Sequence, residues 1–212
     1  MADDYLIWDF NGTVFDDVTA SRCAVNVLLS RRQLAVLPDD EAYRRVFDFP
    51  VENYYAAIGV DFRKEDFHAV AVEWMTQYEH FSRESGLVAG VRDVLDAAKA
   101  AGKRQIILSA TEKCLLAGQL DRLGVSTCFD EVLARDDIHA AGKTALGLAW
   151  KERAKPGDLI MIGDTLHDLE AANALGAQCI LFAGGHTDAR RLAASGAPQA
   201  NTMADVRRLL CL

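Results

Sequence analysis

The chain has 212 residues, a formal net charge of −8 and a hydrophobic share of 50%. That length holds one domain of ordinary size with a smaller insert, and the hydrophobic share is ample for a packed core. The acidic balance argues against nucleic acid as a partner, no apolar run approaches a membrane span, and the N-terminus lacks the basic start of a signal peptide.

In chain order, Tyr5 to Trp8 reads as a short, nearly continuous apolar strand, the pattern of a strand buried on both faces. It runs into Asp9 and a tight turn at Gly12. From about Asp16 to Glu84 the pattern is helical: Val51, Tyr54, Tyr55 and Ile58 share one helix face, as do Phe67, Val70, Ala71, Trp74, Tyr78 and Phe81. Pro38 and Pro50 mark helix starts. This stretch reads first as a helix-bundle core.

From Gly90 onward helices and strands alternate. A helix through Val91, Val94, Leu95 and Ala98 precedes a strand from Gln105 to Ser109. A helix through Leu116, Leu120 and Leu123 precedes a strand from Phe129 to Leu133, and a helix from Thr144 to Arg153 precedes a strand ending at Asp164. A helix from Asp168 to Leu175, a strand from Gln178 to Phe182 and a last helix with Thr202 as N-cap complete the chain. Alternation of this kind predicts a parallel sheet covered by helices on both faces. The five cysteines, scattered at 23, 114, 128, 179 and 211, read as free core thiols of a reducing cytoplasm.

Two strands of this sheet end in acid: Asp9, and Asp164 in Gly163-Asp164-Thr165-Leu166-His167-Asp168. Ligand chemistry in open α/β sheets sits at the carboxyl edge, so paired acidic strand ends predict a divalent-cation site. Ser109 also ends a predicted strand before a helix, where its hydroxyl and the following N–H groups of Ala110 and Thr111 can hold a phosphate. Gly142-Lys143-Thr144 has the end of a nucleotide-binding loop but not the upstream glycine, and that reading is rejected.

Asp9-Phe10-Asn11-Gly12-Thr13, Ser109, Lys143 and the segment from Gly163 to Asp168 resemble, in order, the four motifs of the haloacid dehalogenase-like hydrolase superfamily. The likeness is to its phosphoglycolate phosphatase-like, β-phosphoglucomutase-like branch. It implies a Rossmann-like α/β core, residues 1–15 and 86–212, with an all-helical cap domain inserted at 16–85. It further implies a cytoplasmic Mg2+-dependent phosphatase of a small phosphorylated metabolite, monomeric or homodimeric, with neither nucleic acid nor membrane as partner. The resemblance makes Asp9 the nucleophile and Lys143 the balancing cation. Gly12, Thr13, Ser109, Ala110, Thr111 and Lys143 would hold the phosphoryl group. Asp9, the Asn11 carbonyl, Asp164 and Asp168 would hold the metal.

One departure stands out. Phosphatases of the family carry an acid/base Asp where this chain has Asn11. An amide donates a hydrogen bond but relays no proton, which predicts a slow enzyme, one restricted to good leaving groups, or one helped by His167, Asp16, Asp17 or a cap residue. A phospho-ligand-binding or regulatory protein on the same scaffold is the alternative. A phosphonatase-like hydrolase is a further one and would need Lys64, the single lysine of the insert.

Overall fold

The computed structural model describes residues 3–135 and 142–212. Six parallel strands form one sheet: β1 (Tyr5–Trp8), β2 (Arg104–Glu112), β3 (Glu131–Arg135), β4 (Leu159–Gly163), β5 (Gln178–Phe182) and β6 (Gln199–Ala200), in the order β3-β2-β1-β4-β5-β6. β1 lies between β2 and β4, with Ile7 opposite Ile106 on one side and Met161 on the other. The strand order reverses direction at β1 and β4, so a crevice opens beyond their carboxyl ends.

The helices are α1 (Val18–Arg31), α2 (Asp40–Val46), α3 (Val51–Ala57), α4 (Phe67–Phe81), α5 (Val91–Ala100), α6 (Lys113–Arg122), α7 (Lys143–Ala154), α8 (Leu166–Leu175), α9 (Ala189–Ala194) and α10 (Met203–Leu209). The two-residue period of β1 divides the core. Leu6 and Trp8 pack on one face with Val91, Leu95, Leu116 and Val206, whereas Ile7 packs on the other with Trp150, Ala171 and Leu192. The sheet is therefore covered on both sides, as the alternation predicts. α8 and α10 begin with capping boxes, Thr165 with Asp168 and Thr202 with Asp205.

α1 to α4 form a helical block with its own core of Val25, Leu28, Leu29, Tyr43, Tyr54 and Val70. The chain leaves for it and returns side by side: Asp16 N donates to the Gly86 carbonyl at 3.0 Å and Val88 N to that of Val14 at 3.0 Å. A second attachment lies on α2. Arg44 donates to the carbonyls of Gly185 (2.7 Å) and Gly184 (3.1 Å), beyond the end of β5.

Two expectations need correction. β2 runs past Ser109 to Glu112, with an irregular register against β3 between Leu108 and Glu112, so Ser109 does not end its strand. The cysteines are free, but Cys114 and Cys211 are exposed and are not core thiols.

Candidate active site

Asp9 continues the ladder of β1, its N–H donating to the Ile162 carbonyl at 2.8 Å. This places its carboxylate beside Asp164, the residue after β4. Asp9, Asp164 and Asp168 each bring one oxygen within 4.8 Å of the others, all three residues buried. Lys143, the first residue of α7, is buried and its ammonium group hydrogen-bonds both Asp9 and Asp168. The other Asp168 oxygen accepts from the N–H groups of Asp164 (3.1 Å) and Thr165 (2.9 Å) and from the Thr165 hydroxyl (2.7 Å). Asp168 thus works first as the cap of α8 and the partner of Lys143.

Thr13 Oγ1 donates to Asp164 Oδ1 at 3.0 Å, and the His186 backbone N–H to Oδ2 at 2.6 Å. Gly12 makes this approach possible. Its φ is +73°, and a Cβ there would stand 2.4 Å from Asp164 Oδ2 and 2.5 Å from His186 Cδ2.

Asn11 is fully engaged. Its amide nitrogen donates to Asp17 Oδ2 (2.8 Å) and Tyr78 Oη (2.8 Å), and its Oδ1 accepts from Thr111 Oγ1 (2.7 Å). Tyr78, on α4, donates in turn to Asp17 at 2.7 Å. One side chain therefore joins the helical block, the turn after β1 and the end of β2. Asp17 also accepts from the Gly12 N–H at 2.8 Å and from His186 Nε2 at 3.1 Å, while His186 Nδ1 lies 2.9 Å from Tyr43 Oη.

Charge explains the remaining electrostatics. Burial pushes Asp9 well above the usual carboxylate range against the pull of Lys143, with Asp168 and Asp164 adding to the rise. Burial likewise raises Asp164 to about 6. Burial also works against ionisation of Asp168, but the Lys143 charge and the hydrogen bonds from Lys143 and Thr165 outweigh it and hold the group low. Burial would lower the His186 imidazole, yet Asp17 and then Asp164 raise it to about 9, so it stands as an imidazolium at neutral pH. Four buried carboxylates, those of Asp9, Asp17, Asp164 and Asp168, face the cations of Lys143 and His186. The oxygen-only donors of Asp9, Asp164 and Asp168 suit a hard divalent ion such as Mg2+. These residues fit that ion.

A cavity of about 860 Å³ extends from this cluster beneath the helical block and is also lined by Ser109, Ala110 and Thr111. The Ser109 hydroxyl donates to Thr111 Oγ1 and accepts from the Thr111 N–H, both at 3.1 Å. Glu112 caps α6, its carboxylate accepting from the N–H groups of Cys114 (3.0 Å) and Leu115 (3.1 Å), beyond the expected phosphate donors Ser109, Ala110 and Thr111.

Within the insert, Tyr54 and Tyr55 line the cavity, whereas Arg45 pairs with Glu41 and Arg44 holds the loop after β5. Lys64 is 81% exposed, pairs with Asp61 and is not among the lining residues, which removes the basis for a phosphonatase-like reading. Asp17 and His167 line the cavity; Asp16 does not. Sequence reading missed His186, Tyr78 and Glu112. The signal for His186 was present: Gly184-Gly185-His186 follows β5 as Asp9 and Asp164 follow β1 and β4.

Comparison with known proteins agrees with this geometry. The chain is 27% identical over 190 residues to a phosphoglycolate phosphatase of Caulobacter vibrioides, covering 86% of this chain and 80% of that protein. It is 24% identical to a phosphoglycolate phosphatase of Chromobacterium violaceum over 88% of each chain. A haloacid dehalogenase-like hydrolase structure from Streptococcus pneumoniae superposes with a TM-score of 0.83 over 98% of both chains at 16% identity, a likeness of fold. Among the described residues no helix is long and apolar enough to cross a membrane. The sequence pattern of the haloacid dehalogenase-like hydrolases matches residues 6–182, and the chain belongs to that family.

Proposed function

We propose that the protein is a Mg2+-dependent phosphatase of a small phosphorylated metabolite, acting through an aspartyl-phosphate on Asp9. The observation that carries this reading is the Asp9 carboxylate at the carboxyl edge of β1, hydrogen-bonded to Lys143 and opening onto the cavity. The two phosphoglycolate phosphatase relatives support the reaction class. The helical insert, residues 16–85, acts as the cap domain that selects substrate and excludes water. A cytoplasmic monomer or homodimer is the setting this reading implies.

An Asp9 oxygen attacks phosphorus, and the leaving oxygen departs with the electron pair of its P–O bond. Lys143 favours the ionised nucleophile against the effect of burial and balances charge on the phosphoryl group. Ser109, Ala110 and Thr111 line the same space, on the side where its oxygens would lie. Mg2+, held by Asp9, Asp164 and the Asn11 carbonyl with Asp168 behind them, would screen the repulsion between the two anions. Water then attacks the phosphorus of the aspartyl-phosphate and releases inorganic phosphate and the free Asp9 carboxylate.

The side chain of Asn11 takes no part in proton transfer, since an amide relays no proton and both its N–H donors are engaged by Asp17 and Tyr78. That observation also supports the second reading, a phospho-ligand-binding protein of little turnover. Phosphate release from a panel of phosphate monoesters, with and without Mg2+, separates the two. Metal-dependent release by wild type that vanishes in Asp9→Asn supports the phosphatase. Tight phosphate binding without release supports the binding protein.

A further inference from the structure

Resting on the phosphatase reading, we infer that the substrate is an aryl phosphate, the monoester of a phenol-type hydroxyl, rather than the phosphate of a small aliphatic alcohol or acid. Two independent features point there, one from the wall of the cavity and one from its floor.

The wall is apolar and aromatic. Phe47, Phe49, Tyr54, Trp74 and Met75 line the cavity from the insert, and no Arg or Lys of the insert lines it among the described residues. Phe49, Met75 and Val72 are 40%, 39% and 53% exposed, so apolar surface stays in contact with water at the mouth of this cavity. A two-carbon acid would leave most of the 860 Å³ unfilled and most of this aromatic carbon uncovered. A planar ring attached to the phosphate oxygen covers that carbon and meets ring edges and faces.

At the floor, the position next to the nucleophile where family phosphatases carry an acid is an amide, which gives no proton to the leaving oxygen. Both Asn11 N–H groups are committed to Asp17 and Tyr78. The two ring nitrogens of His186 are engaged by Asp17 and Tyr43. An aliphatic alkoxide, whose conjugate acid ionises near the pKa of water at about 16, departs poorly without protonation. A phenoxide, whose conjugate acid has a pKa of about 10, departs as the anion. The balance closes without a donor: the Asp9 carboxylate and the aryl phosphate dianion give the aspartyl-phosphate and an aryloxide, which takes its proton from water after release.

The test compares kcat/KM, which reports this first step alone, for phenyl phosphate, benzyl phosphate, ethyl phosphate and phosphoglycolate in Mg2+. Benzyl phosphate keeps the ring but leaves as an alkoxide. Phenyl phosphate is expected to exceed benzyl phosphate by about a hundredfold or more, the worth of the missing acid. Benzyl phosphate is expected to bind more tightly than ethyl phosphate or phosphoglycolate as a competitive inhibitor. Met75→Glu and Phe49→Ser, both at exposed positions, are expected to raise KM for phenyl phosphate about tenfold while leaving inhibition by inorganic phosphate unchanged. Phosphoglycolate or ethyl phosphate turned over as well as phenyl phosphate would overturn the inference and leave the phosphatase reading intact. So would an unchanged KM in both wall variants. Absence of phosphate release from every ester would overturn both together.

Discussion

Within one cavity, the floor and the wall are built differently. At the floor, Asp9, Lys143, Asp164 and Asp168 are buried, and each is fixed by a hydrogen bond from a backbone group or a second side chain. At the wall, Phe49, between α2 and α3, and Val72 and Met75, on α4, remain exposed, on an insert with a core of its own. A sheet edge holds charged groups to narrow tolerances because neighbouring strands fix the backbone on both sides. A helical insert supplies surface and shape and can vary without disturbing the sheet. In the proposed reading, reaction type resides in the floor and substrate choice in the wall.

Perturbing the floor should cost most. Asp9→Asn removes the proposed nucleophile, and phosphate release should fall by about a thousandfold or more with the far-UV spectrum unchanged. Gly12→Ala forces a Cβ onto the Asp164 carboxylate at a positive φ, and denaturant unfolding should show a loss of about 3 kcal/mol or more. Mg2+ at a hundredfold excess over its Kd should raise Tm by about 5–10 °C, a rise that Asp164→Asn abolishes. Asn11→Asp sets a carboxylate where the amide now donates to Asp17 at 2.8 Å, so stability should drop by about 1–3 kcal/mol. Adding Asp17→Asn should return most of that loss in a double-mutant cycle. The smallest effect belongs to the wall: Tyr54→Phe removes a buried hydroxyl that has no hydrogen-bond partner among the described residues, and should leave stability unchanged or raise it by up to about 1 kcal/mol.

The same contrast governs what could be read from the sequence. Asp9 and Asp164 were legible because an apolar run ending in acid is a local signal, and the sheet then brings such ends together. Lys143 came only through resemblance, since nothing local distinguishes it from a surface lysine. Ser109 was mistaken for a strand end because β2 keeps extended backbone for three more residues, and the acid that closes it, Glu112, also caps α6. β6 and α9, with 2 and 6 residues, are too short to show a period. The ties of Asn11 to Tyr78 and of Asp17 to His186 join residues 67 and 169 positions apart, and no local pattern encodes such pairs. The amide at position 11 looked like a lost catalyst in the sequence. In the structure it is also a joint between insert and sheet.

The most direct test of the account is acid quenching during turnover of phenyl phosphate in Mg2+, followed by mass spectrometry of the digested protein. The account predicts one added phosphoryl group on the peptide carrying Asp9 in wild type and none in Asp9→Asn. Steady phosphate release by wild type without that adduct, or with the phosphoryl group on another residue, would contradict it.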